Sequence, residues 1–146
     1  MTQRADRAKE LFLEGYNCCQ AVVGAFSDCI DLEFDVLMKI ASSFGGGMGR
    51  LREVCGADSG MFLAAGYLAG YSDPKAKEQK AEHYRLIQEL ANEFKRMNSS
   101  IVCRELLGEK DTSYVPSERT ETYYQKRPCA DLVWDAAMIL AKRFQL

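Results

Sequence analysis

Apolar residues recur three and four positions apart along most of the chain, the period of helices that bury one face. Ala5, Ala8, Leu11 and Phe12 mark such a face in a first helix over residues 2–13, which Gly15 ends. Asn17 is suited to cap a second helix over residues 18–28. Asp31 introduces a third, ending at Phe44, whose expected apolar face is Leu32, Val36, Leu37 and Ile40. The glycine-rich run Gly45-Gly46-Gly47-Met48-Gly49 then signals positive φ or close backbone approach. A fourth helix, residues 56–69, carries the small residues Gly60, Ala64, Ala65 and Gly66, which let another backbone come near and suggest a central position.

The fifth helix is long and charged, residues 74–97, with a stripe through Ala81, Tyr84, Leu86, Ile87, Leu90, Ala91 and Phe94. Asn98-Ser99-Ser100 closes it and caps a short sixth helix with Cys103, Leu106 and Leu107, stopped by Gly108. Residues 109–127 are polar and irregular, and Pro128 opens a last helix over residues 129–144. The expectation is an all-α, single-domain bundle (residues 1–146) of about six to seven helices, with a glycine-rich turn and a long loop before the last helix. A loop of that length in a small domain is suited to covering a site or forming an interface.

Composition narrows the function classes. The 47% hydrophobic fraction is enough for a core, and the net charge of −2 offers no basic face for nucleic acid. No run is long enough to span a membrane. The first residues, 1–14, lack the apolar stretch of a signal peptide, so a cytoplasmic, reducing location is expected. In such a compartment the six cysteines read as catalytic thiols, metal ligands or core residues before they read as a disulfide framework.

Four of the cysteines, Cys18, Cys55, Cys103 and Cys129, fall at or within a turn of expected helix starts. Unpaired N–H groups and the dipole at a helix N-terminus stabilise anions, including the thiolate that attacks disulfides or binds metal. Arg50 and Arg52 precede Cys55, and Lys126 and Arg127 precede Cys129. Cys55 is on this reasoning the first candidate for the reactive thiol. Cys19 and Cys29 lack the placement and read as core residues. No CxxC occurs, an adjacent Cys18-Cys19 disulfide would be strained, and zinc-ribbon spacing is absent. Four thiolates from separate segments remain compatible with one zinc ion or an iron–sulfur cluster. The glycine run lacks the Lys-Ser/Thr ending of a P-loop and reads as a turn bringing the Cys55 segment to Cys18, with N–H groups able to face a thiolate. His83, the only histidine, sits on the charged helix and reads as surface. Tyr123, Tyr124 and Trp134 suit a pocket, an interface or the core.

The segment Cys55-Gly56-Ala57-Asp58-Ser59-Gly60 is a CGAxxG motif. With Gly15-Tyr16-Asn17-Cys18 upstream, Phe44-Gly45-Gly46-Gly47 between, and Cys103 and Cys129 downstream, the chain resembles the redox-active family named for its C-GCAxxG-C-C cysteine pattern. The resemblance covers nearly the whole chain and implies Cys18, Cys55, Cys103 and Cys129 as the functional set; by their positions beside these cysteines, Asn17, Gly45, Gly46, Gly47, Arg50, Arg52, Gly56 and Gly60 are expected in support. Choosing Cys18 over Cys19 rests on the Gly-x-Asn-Cys spacing. Three readings stay open: thiol/disulfide chemistry with an unidentified redox partner, a cysteine-ligated metal or electron-transfer site, and a non-catalytic helical interaction domain with buried cysteines. The small-residue and long amphipathic helices also suit a homodimer.

Overall fold

Capping chemistry and apolar spacing place most of the helices where the computed structural model, which describes residues 1–146, has them. Eight α-helices form: α1 (Gln3–Leu13), α2 (Cys18–Gly24), α3 (Phe34–Ala41), α4 (Gly56–Ala69), α5 (Lys77–Asn98), α6 (Cys103–Leu107), α7 (Glu121–Lys126) and α8 (Cys129–Phe144). No strand forms. At α2 the expected Asn17 cap is a full capping box: the Asn17 side chain accepts from the Gln20 N–H at 2.9 Å, and the Gln20 side chain accepts from the Asn17 N–H at 3.0 Å.

α1, α2, α4 and α8 pack together around Phe12, Phe26, Met61, Val22, Val133 and Leu140, all fully buried. α5 lies across α8 and α4 and inserts Leu86, Leu90 and Phe94. Burying each large side chain contributes about 1.5–3 kcal/mol. α2 packs tightly on α4, and glycine makes the approach possible. A Cβ on Gly60 would stand 2.8 Å from the Cys19 carbonyl oxygen, and one on Gly56 would stand 3.0 Å from the Cys18 Cβ.

Four expectations are corrected. The second helix stops at Gly24, and Ser27–Cys29 forms a separate 3₁₀ turn. The third helix starts only at Phe34, so Leu32 lies before it, and it buries Leu37, Met38 and Ala41 while Val36 and Ile40 stay exposed, because its inner face is narrow and turned towards α2. The fifth helix begins at Lys77, after a turn in which the Asp73 side chain accepts from the Lys75 N–H. The long loop holds α7, whose Thr120 cap accepts from the Tyr123 N–H at 3.1 Å. No helix is long and apolar enough to cross a membrane.

Candidate functional site

Cys18, Cys103 and Cys129 are each the first residue of a helix, and Cys55 is the N-cap residue of α4. The fold turns these helix starts towards one another, and all four cysteines line a single cavity of about 60 Å³. Cys19 faces the core instead, where burial pushes its thiol up to about 12. Cys29 is half-buried in the 3₁₀ turn beside Arg4, so it is not the core residue expected. His83 packs edge-on against Tyr71, away from the cavity.

Two local structures set the cavity walls. The first is a short backbone clip, an antiparallel bridge between Val54 and Val102. Across it the Cys55 N–H donates to the Ile101 carbonyl at 2.7 Å and the Cys103 N–H to the Glu53 carbonyl at 2.6 Å. Cys55 and Cys103, separated by more than forty residues of chain, are thereby held side by side.

The second is the glycine-rich run, which forms a left-handed turn. Gly46, Gly47, Met48, Gly49 and Arg50 all have φ between 58° and 74°. Each non-glycine residue there carries a cost of about 1–2 kcal/mol, which glycine escapes. The turn closes through the Arg52 N–H to the Gly46 carbonyl and the Glu53 N–H to the Gly47 carbonyl. A Cβ on Gly47 would stand 2.7 Å from the Cys103 Cβ, and one on Gly45 equally close to the Asn17 side chain. The glycines are required because the cap of α2 and the start of α6 press against the turn.

The turn also aims the arginines, and not as their spacing from Cys55 suggested. Arg52, only 3% exposed, places one terminal nitrogen 3.8 Å from the Cys103 sulfur and donates its Nε to the Asp111 carbonyl at 2.9 Å. Arg50 turns outward to Ser117 and Asp111. The segment before the last helix supplies Arg119, Tyr123 and Arg127, which line the cavity with Phe12, Leu106 and Leu107. Arg119 lies 4.3 Å above the Phe12 ring and donates to the Phe12 and Tyr16 carbonyls. Of these, Arg127 was visible beside Cys129 in the chain. Nothing in the local sequence of Arg119 marks it as a site residue.

The electrostatics separate the four thiols. Cys18 and Cys129 act on each other as neighbouring thiols, and this interaction lowers the Cys129 pKa below the ordinary thiol value. Arg127, Arg119 and Arg52 act in the same direction against the effect of burial. Cys18 is in turn raised well above the ordinary value, with burial adding to the effect. Cys103 is raised by burial, partly offset by Arg52. Cys55 does meet the Ala57 and Asp58 N–H groups at the start of α4, yet burial and the neighbouring Asp58 carboxyl raise it well above the ordinary value. Of the four cavity thiols, Cys129 alone is lowered from its ordinary value. A helix N-terminus stabilises a thiolate only as far as burial and adjacent acids allow.

Asp58 is a feature the sequence did not single out. Its carboxyl is fully buried with no ion pair, and burial raises it to about 8, partly offset by the neighbouring Cys55 thiol. As for metal, no group of three or more His, Cys, Asp or Glu side chains is placed to hold an ion. The present side-chain arrangement gives the zinc and iron–sulfur alternatives no support.

An all-helical scaffold that gathers four helix-start cysteines under an arginine shell defines a cysteine-centred protein. The chain belongs to the family described as putative redox-active protein (C_GCAxxG_C_C), whose model matches residues 16–143. No curated protein and no solved structure matches it.

Proposed function

We propose that the protein exchanges thiols and disulfides, with Cys129 as the attacking thiolate and Cys18 as the thiol that resolves the intermediate. The observation that carries this reading is the placement of Cys18 and Cys129 on one small cavity that Arg52, Arg119 and Arg127 also line. An attacking thiol needs a thiolate population near ambient pH, and a resolving thiol needs to be adjacent and to keep its proton until needed.

The chemistry balances with a disulfide RSSR as oxidant. The Cys129 thiolate bonds to one sulfur and releases RS⁻. Cys18 loses its proton to that leaving group and attacks Cys129 in the mixed disulfide. A second RS⁻ departs, leaving a Cys18–Cys129 disulfide. Two electrons pass from the protein to RSSR. Cys55 and Cys103 adjoin the pair, and their raised pKa values suit later exchange with it better than first attack.

Brief treatment with hydroxyethyl disulfide tests this. The expected product has lost two hydrogens and links Cys18 to Cys129 in a peptide map. Cys129→Ser abolishes the reaction and Cys29→Ser leaves it unchanged. Failure to trap any pair, or a rate indifferent to Cys129→Ser, refutes the assignment.

A further inference from the structure

Outside the cysteine cavity and continuous with it lies a cleft of about 280 Å³. Asn17, Gly46, Arg52, Arg119, Tyr123 and Arg127 line both spaces. Arg50 lines the outer one, so four guanidinium groups face the approach to the thiols. Carboxylates do not balance them. Arg50 meets Asp111 at 3.7 Å and Arg127 meets Glu109 at 3.3 Å. Arg119 is held by carbonyl oxygens and the Tyr124 hydroxyl, and Arg52 by one carbonyl and the Cys103 sulfur. Neither has a carboxylate partner.

Arg52 adds an independent sign of a missing ligand. It is 97% removed from solvent by its 3% exposure, and its second terminal nitrogen has no hydrogen-bond partner. A buried guanidinium with an unused donor is costly unless an anion meets it. The backbone at Arg52 is also left-handed, with φ 62°, so the chain holds this side chain in the site against a local preference.

We propose that the cleft selects small disulfides carrying carboxylate groups, held by Arg52 and Arg119 with Arg127, so that their sulfur is presented to Cys129. This rests on the thiol-exchange reading and names its substrate class. Planar, forked N–H donors match a carboxylate in two-point contact, and a charge-assisted hydrogen bond in a partly dry cleft discriminates strongly against a neutral group.

Three aliphatic disulfides of similar length separate the possibilities: dithiodipropionate, with two carboxylates; hydroxyethyl disulfide, neutral; and cystamine, with two ammonium groups. Rates of Cys18–Cys129 disulfide formation are measured by mass at low salt and divided by the rate of each probe with free cysteine. The division removes differences in intrinsic reactivity. The ratio between probes cancels any change in the Cys129 thiolate fraction. The expected order is dithiodipropionate first and cystamine last, with the anionic probe favoured over the neutral one by about tenfold or more. Added salt should narrow the gap.

Arg119→Gln and Arg52→Gln should each bring the ratio towards one while hydroxyethyl disulfide still reacts. Arg119→Gln keeps the test informative where the buried Arg52 change impairs folding. A normalised ratio near one in the unaltered protein overturns the carboxylate proposal and leaves thiol exchange standing. No reaction with any of the three probes overturns both.

Discussion

Replacing Asp58 with asparagine removes a titratable group that the fold buries without an ion pair, and the consequence can be worked through. Burial raises the carboxyl from 3.8 to about 8. Between those values the folded protein keeps a proton that the unfolded chain releases. Native stability is therefore greatest below pH about 4, falls as the pH rises through the interval, and levels off above about 8. At pH 7 the wild-type fold bears about 4 kcal/mol for holding that proton, at about 1.4 kcal/mol for each pH unit above 3.8. Asparagine bears none of it, but its amide must sit with the Cys55 thiol as its one polar side-chain neighbour, at a cost of about 1–3 kcal/mol that the neutral acid largely shares. The Asp58→Asn protein should be about 2–4 kcal/mol more stable at pH 7 and about equal at pH 4. With a urea dependence of about 2 kcal/mol per molar, that is a midpoint shift of about 1–2 M. Urea titrations of both proteins from pH 4 to pH 9 read it directly. Parallel stability profiles, or a less stable variant at pH 8, would refute the reasoning.

Gly47→Ala places a Cβ 2.7 Å from the Cys103 Cβ and 2.8 Å from the Glu53 nitrogen at a position with φ 74°. Neither neighbour is a flexible side-chain end, so urea unfolding should show a loss of about 2–4 kcal/mol, and a loss under about 0.5 kcal/mol would mean the turn is not close-packed. Arg127 lowers the Cys129 pKa, so Arg127→Gln should move the midpoint of Cys129 alkylation against pH upward from a wild-type value below the ordinary thiol range. An unchanged midpoint would remove Arg127 from the set of groups acting on that sulfur.

Signals confined to a few neighbouring residues made much of the fold legible. Asn17 with Gln20 three residues on gives the start of α2, and Pro128 gives that of α8. The small residues of the fourth helix correctly indicate close packing, although the approach is made at Gly56 and Gly60, while Gly66 meets nothing within 4 Å. The failures have two causes. The face of α3 was assigned from apolar residues alone, but Leu32, Val36 and Ile40 are as apolar as Leu37 and Met38, and only the position of α2 decides which are buried. α7 was missed because its six residues are too few to show a period, and only the Thr120 cap announces it.

For the site, spacing placed four cysteines at helix starts but could not rank them, because the ranking depends on residues distant in the chain. Cys55 looked favoured by Arg50 and Arg52, two local charges. The left-handed turn sends Arg50 to Asp111 and Arg52 towards Cys103, and it leaves Cys55 beside a buried acid. Cys129 instead receives Arg127 and Arg119 from the segment just before its helix, and Arg52 and the Cys18 thiol from far away in the chain. The same turn thus controls two things at once: which sulfur lies in positive potential, and which guanidinium donor is left free for a ligand. A backbone held in left-handed geometry at Met48, Arg50 and Arg52 is unfavourable for folding alone. Its effect here is to direct Arg52 into a space lined by all four thiols and away from the core around Cys19.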